Sequence, residues 1–180
     1  MPRMTRQEYR DWLKSRPDER RYELVDGEPV AMAPERVGHA RLKVRLWAQL
    51  QAEIQRQGLP CEALPDGITV EIDDATDYEP DVLVNCGERL SDDAIAAPHP
   101  LVIVEVLSPG TRAVDTGRKL MDYFRLPGMR HYLVVRVDRP AIVHHRRQED
   151  GTILTTLHQG GRIDLDPPGL TLDVDALYTA

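Results

Sequence analysis

Hydrophobicity along the chain peaks in PLVIVEVL, Pro100 to Leu107, where a single carboxylate, Glu105, interrupts an otherwise apolar run. Runs of this kind belong to strands covered on both faces, so the segment predicts a central strand. Two shorter runs precede it, GITVEI from Gly67 to Ile72 and EPDVLV from Glu79 to Val84, and both read as strands. Further on, HYLVVRV and AIVHHR flank Asp138-Arg139-Pro140 as a hairpin, and ILTTL from Ile153 to Leu157 adds a strand before a loop rich in Gly and Pro. Near the N-terminus, RYELVDGEPVAMAP holds two short runs about Asp26-Gly27, a pair suited to a turn that needs positive φ. It predicts another hairpin, closing at Pro34.

Helical periodicity marks three segments. Thr5-Arg6-Gln7-Glu8 is a capping-box pattern followed by Tyr9, Trp12 and Leu13, and Pro17 ends that short helix. The longest helix is predicted from Glu35 to Gln57, with Gly58 as its stop. At 100° per residue, Leu46, Trp47, Leu50 and Ile54 share one apolar arc, which His39 and Lys43 extend toward the N-terminal end. Either His39 bonds locally and Lys43 snorkels outward, or this end of the helix overlooks a polar site. The third helix is TGRKLMDYFRL, after the loop SPGTRAVD, with Leu120 and Phe124 inward and Pro127-Gly128 as its stop.

This order predicts an α/β fold with a mixed central β-sheet between helices and hairpins toward both ends. With 180 residues, 41% of them apolar, the expectation is one domain over residues 1–180. The start, MPRMTRQEYRDWL, lacks the apolar core of a secretion signal, and no run approaches the roughly 20 residues of a membrane span. A soluble, cytoplasmic protein is expected. Cys61 and Cys86 match no disulfide framework and no zinc spacing, so they are expected as small, half-buried residues.

The net charge of -7 argues at first against a nucleic-acid partner, but its distribution changes the picture. Between Leu59 and Leu107 twelve Asp and Glu face the single Arg89, leaving 22 Lys and Arg against 18 acids elsewhere. An acidic middle with weakly basic flanks fits a cation site beside a surface for a polyanion, and equally a solvated acidic face. In a strand, Glu105 shares a face with Leu101, Ile103 and Leu107, and Asp81 shares one with Glu79 and Leu83. If the two strands are neighbours, these carboxylates converge and repel unless a proton or a cation joins them. Oxygen ligands without thiolates select Mg²⁺ or Mn²⁺ over zinc.

Pro80-Asp81, then Glu105-Val106-Leu107, resembles the PD-(D/E)XK nuclease signature. YELVDGE, EPDVLV, LVIVEVLSPGT, the Lys119-x3-Tyr123 pair and HYLVVRVD are similar to the Uma family of restriction-endonuclease-like proteins, over about Tyr22 to Asp138. The resemblance implies a three-layer core and a metal-dependent endonuclease that hydrolyses DNA phosphodiesters. It implies Asp81 and Glu105 as metal ligands, a backbone carbonyl such as that of Val106 completing the shell, and Glu23 assisting from the first hairpin.

Leu107 departs from the signature, which expects a lysine there. Lys119 is the leading substitute, with Tyr123 on the same helix face, and His39 and Lys43 are the fallback donors. Ser108 sits in turn chemistry without a nucleophile elbow. His144 and His145 point to opposite faces of their strand, and His99 and His131 border strands. Two alternatives stay open: a nuclease-fold module that binds nucleic acid or protein without catalysis, and an interaction protein whose Glu105 is neutralised by Lys43 or Lys119 in a buried ion pair. Cutting both strands of a duplex at once needs two copies, so a homodimer is expected.

Overall fold

A computed structural model of the chain describes residues 3–17, 20–107 and 113–179, with side chains from residue 116 onward in the last stretch. Helix α1 (Arg6–Lys14) opens with the expected capping box, Thr5 accepting from the Glu8 N–H while the Glu8 carboxylate accepts from the Thr5 N–H. Strands β1 (Tyr22–Val25) and β2 (Glu28–Ala31) form the hairpin about Asp26-Gly27, both at positive φ. Helix α2 (Val37–Gln57) ends at Gly58 in the left-handed conformation, as the sequence indicates.

The central sheet is six-stranded and mixed. Its spatial order is β10 (Ile153–His158), β9 (Ile142–Arg147), β8 (His131–Arg136), β7 (Pro100–Leu107), β6 (Val82–Cys86) and β3 (Cys61–Pro65). Only the β7–β8 pair is parallel, as the crossover through α3 (Ala113–Tyr123) requires. Strand β7 is thus central, and Val102, Ile103 and Val104 are fully buried.

Three layers result. On one face Val102, Val104 and Val106 pack with Leu42, Leu46, Leu50 and Ile54 of α2. On the other, Ile103 packs with Leu83, Tyr123 of α3 and Tyr132. A four-stranded sheet, in the order β2, β1, β5 (Thr76–Tyr78) and β4 (Val70–Asp73), completes that second side. The C-terminal region forms a hairpin, β11 (Arg162–Leu165) with β12 (Leu170–Asp173), and helix α4 (Val174–Tyr178); Leu172 of β12 and Val174 and Leu177 of α4 join the α2 layer.

Several expectations need correction. The run from Gly67 forms strand only from Val70, as half of a hairpin with β5. Asp81 precedes β6, because Pro80 cannot donate to a ladder. The C-terminal Gly and Pro turn a hairpin rather than form a plain loop. Trp47 is 37% exposed, at the margin of the α2 arc, and its indole N–H donates to the Ala63 carbonyl. Cys61 and Cys86, both half-buried, are directly opposed in the β3–β6 register and form a disulfide. They lie 25 positions apart in the chain, so only strand pairing brings them together. Ser108 and its turn lie outside the described residues. No helix among the described residues is long and apolar enough to cross a membrane.

Candidate active site

Alternation along β7 directs Glu105 to the α3 side of the sheet, where only 8% of the residue is exposed. Such a carboxylate needs partners, and α3 supplies two from one face. Lys119 Nζ donates to Glu105 Oε1 at 3.0 Å and the Tyr123 hydroxyl donates to the same oxygen at 2.8 Å. The ammonium also donates to Glu23 Oε1 at 2.9 Å and stands 5.1 Å over the Tyr78 ring. Glu23, in β1, accepts a further bond from the Glu79 N–H at 3.0 Å. Lys119 is therefore buried between two acids of different elements.

Asp81 enters from the neighbouring strand end. The β6–β7 register pairs Val82 with Val104, so one more residue sets Asp81 across from Glu105. Its Oδ2 accepts the Val106 N–H at 2.7 Å. Burial, offset by Lys119 and reinforced by the charges of Asp81 and Glu23, holds the Glu105 carboxyl well above the usual range, at about 7. Burial and the two glutamates likewise hold the Tyr123 hydroxyl protonated far above its ordinary range.

Helix α2 contributes the other wall. His39 Nε2 lies 2.8 Å from the Val106 carbonyl oxygen and 3.4 Å from Asp81 Oδ2, and its Nδ1 lies 2.8 Å from Glu35 Oε1. Carbonyl and carboxylate oxygens only accept, so both ring nitrogens donate and the ring is an imidazolium. The Asp81 bond, against the cost of burial, raises its pKa to about 9. Lys43 pairs with Glu35 at 2.5 Å and with Asp66 at 3.2 Å; Asp66 in turn pairs with Arg21, which reaches Glu79 at 2.6 Å. The N-terminal end of α2 overlooks a polar site.

The structure thus brings Glu23, Glu105, Lys119 and Tyr123 into one buried cluster, and Asp81, Val106 and His39 into a second that adjoins it through β7. Lys43 belongs to the rim. Leu107 packs in the apolar layer on the α3 side, where a lysine of the signature would have pointed. Glu35, His39 and Asp81 each place one donor atom within 4.8 Å of the others; no such group joins Glu23, Asp81 and Glu105 among the described residues. Sequence reasoning missed Glu35, Asp66, Arg21 and Tyr78. Glu35, His39 and Lys43, four residues apart in turn, could have pointed to the first. The others meet through β1, β5 and the β3–β4 turn and leave no local pattern.

The family model for Uma2, described as "Putative restriction endonuclease", matches residues 6–175. The chain belongs to the Uma2 family. An uncharacterized protein of Synechocystis sp. is 30% identical over 179 residues, which cover 98% of this chain and 92% of that relative. The crystal structure of a protein from Anabaena variabilis, titled as a "putative nuclease belonging to DUF820", superposes with a TM-score of 0.77 at 16% identity over 97% of both chains. That likeness shows the fold of this Uma2 chain: a mixed sheet between helices, shared with the Anabaena protein.

Proposed function

We propose that the protein is a metal-dependent endonuclease that hydrolyses DNA phosphodiester bonds, with Asp81 and Glu105 as ligands of Mg²⁺ or Mn²⁺. The observation that carries this reading is Lys119. Leu107 removes the cation that the signature places on the strand, and α3 delivers an ammonium within 3.0 Å of Glu105 and 2.9 Å of Glu23 instead. Membership of the Uma2 family supports the same class of chemistry.

The donor set suits a hard dication: two carboxylates from adjacent strand ends, the Val106 carbonyl and no thiolate. Protein hydrogen bonds fall on Asp81 Oδ2, on Glu105 Oε1 and, from His39, on the Val106 carbonyl oxygen, so Oδ1, Oε2 and the second lone pair of that carbonyl are what the chain offers an ion. When bound, the ion supplies Lewis acidity, lowering the pKa of a water and offsetting negative charge on the phosphodiester.

The chain's own groups do the rest. Tyr123 and Lys119 orient the Glu105 carboxylate, and Lys119 keeps positive charge where phosphate oxygens gain negative charge. Glu23 holds Lys119 in place and is the spare carboxylate for orienting the attacking water. His39 fixes the Val106 peptide and Asp81 together.

A second reading keeps the fold as a nucleic-acid or protein binding module. One observation favours it: Lys119 and Tyr123 already compensate Glu105 without any ion. Titration with Mn²⁺ or Mg²⁺ by calorimetry separates the two. The wild type should bind, and Asp81→Ala and Glu105→Ala should not; equal uptake by all three removes the catalytic reading. Plasmid DNA should be cut in Mg²⁺ and left intact by both variants. Lys119→Ala should slow cutting by about 10²–10³-fold, the scale of losing one preorganised donor.

A further inference from the structure

The six-stranded sheet is closed differently at its two edges. At β3 side chains of α2 occupy the margin, the Trp47 indole N–H donating to the Ala63 carbonyl and the Ala63 N–H donating to Gln51 Oε1, whereas β10 ends the sheet with no strand beyond it among the described residues. Edge strands are ordinarily blunted by charge, proline or a bulge, because a row of free N–H and C=O groups templates pairing with another chain. Strand β10 has none of these protections. Its sequence, ILTTLH, holds no acidic residue, lysine, arginine, proline or glycine, and its register with β9 is unbroken over six residues. Ile153, Leu154 and Leu157 are 38%, 53% and 60% exposed, three of the nine large exposed apolar residues among those described.

The hydrogen-bond phase shows which groups are offered. The Gln148 N–H donates to the Thr152 carbonyl at 2.8 Å, so 148 and 152 are a bonded pair. Bonded pairs alternate along an antiparallel ladder, so Leu154, Thr156 and His158 bond β9 while Ile153, Thr155 and Leu157 turn N–H and C=O outward. This outward pattern is self-complementary. A second β10, antiparallel about a two-fold axis at Thr155, sets Ile153 opposite Leu157 of its mate, Thr155 opposite Thr155, and Leu157 opposite Ile153. All three pairs join outward-facing backbone groups, each able to exchange two hydrogen bonds. Ile153 and Leu157 meet each other, Leu154 meets Thr156 on the opposite face, and a threonine pair sits at the centre. The charges agree: Asp150 falls opposite Gly160 of the mate, and no like charges are opposed along the strand.

We propose that β10 is a homodimer seam, through which two copies join their six-stranded sheets about a two-fold axis at Thr155. The partner is a second copy because such an isologous contact requires the strand to match itself, and this one does. The seam holds whether or not the chain cuts DNA. If it does, two carboxylate sites ride in one particle, as a double-strand cut requires.

Sedimentation velocity of the full chain at about 10–100 μM, a range in which stable dimers of this kind associate, should show a dimer. Leu157→Lys and Ile153→Glu should each yield monomer with unchanged circular dichroism, since both positions are exposed. The double variant carrying Ile153→Glu and Leu157→Lys should restore the dimer, because the two introduced side chains, opposite in charge, then face each other across the seam. Under mild oxidation Thr155→Cys should cross-link and Leu154→Cys should not. A monomeric wild type overturns the proposal, as does a dimer that survives Leu157→Lys or a double variant that stays monomeric.

Discussion

Glu105 sits in a strand that would otherwise bury only hydrocarbon, and burial together with two groups of α3 sets its chemistry. Burial raises its pKa to about 7, Lys119 opposes that rise, and Tyr123 donates to the oxygen that Lys119 uses. A carboxylate must be ionised to hold a dication, so if Glu105 is the proposed ligand, affinity for Mn²⁺ should climb as pH rises through about 7 and fall below it. Calorimetry with Mn²⁺ between pH 5.5 and 8.5 checks this; affinity independent of pH would exclude Glu105 as a ligand. Lys119→Ala leaves Glu23 and Glu105 buried without their shared cation, with only the Glu79 N–H and the Tyr123 hydroxyl to bond them, at a cost of about 3–5 kcal/mol in the metal-free protein. Chemical denaturation should show that loss, with a smaller one for Glu105→Gln, which keeps an amide oxygen for Lys119 and Tyr123.

At the scale of elements, three pieces of backbone aim these side chains: the β7 end, the first hairpin and α3. The hairpin's turn has least room for change. Gly27 has φ +77°, and a Cβ there would lie 2.7 Å from Arg3 Cβ and 2.9 Å from the Met4 backbone nitrogen. The Gly27 N–H and C=O also tie the turn to Ala75 and Met4. Gly27→Ala should therefore cost more than about 1 kcal/mol and disturb the strand that carries Glu23. A thermal unfolding curve superimposable on that of the wild type would show that the turn adapts. On α3, Lys119 and Tyr123 reach one oxygen because residues four apart stack on one helix face. On α2 the same spacing gathers Glu35, His39 and Lys43.

For the molecule as a whole, histidines set the pH range of stability. His131 and His144 are hydrogen-bonded to each other at 2.9 Å, and His131 Nε2 reaches the Pro167 carbonyl, so the sheet is linked there to the C-terminal turn. Burial, foremost, lowers their pKa values to about 4 and about 3. Below about 6.5 the unfolded chain binds protons that the folded chain refuses, so stability should fall as pH drops from about 6.5 toward 4. His39 has the opposite sign: its folded pKa of about 9 means stability present below about 6.5 and lost as pH rises through 9. Melting temperature against pH should therefore peak near neutrality. His39→Gln should flatten the alkaline limb and leave the acid limb in place; an unchanged alkaline limb would show that His39 is not the imidazolium bound to Val106 and Glu35.

Local chemistry written in the chain was enough for α1 with its capping box, the Asp-Gly hairpin, α2 with its Gly58 stop, and β7 to the residue, since caps, turns and periodicity act over a few positions. The order of these elements, with the Pro-Asp and Glu-Val-Leu pattern, also carried the fold and the family. Tertiary structure alone decided the rest. The approach of Lys119 to Glu105 and Glu23 depends on how α3 crosses back over the sheet, and the use of His39 on Val106 and Asp81 depends on where α2 packs. Pairing of Cys61 with Cys86, the C-terminal hairpin, and the Arg21–Asp66–Lys43–Glu35 rim likewise rest on contacts between residues distant in sequence. Such contacts are set by packing and register, and neither leaves a periodic trace in the segments that meet.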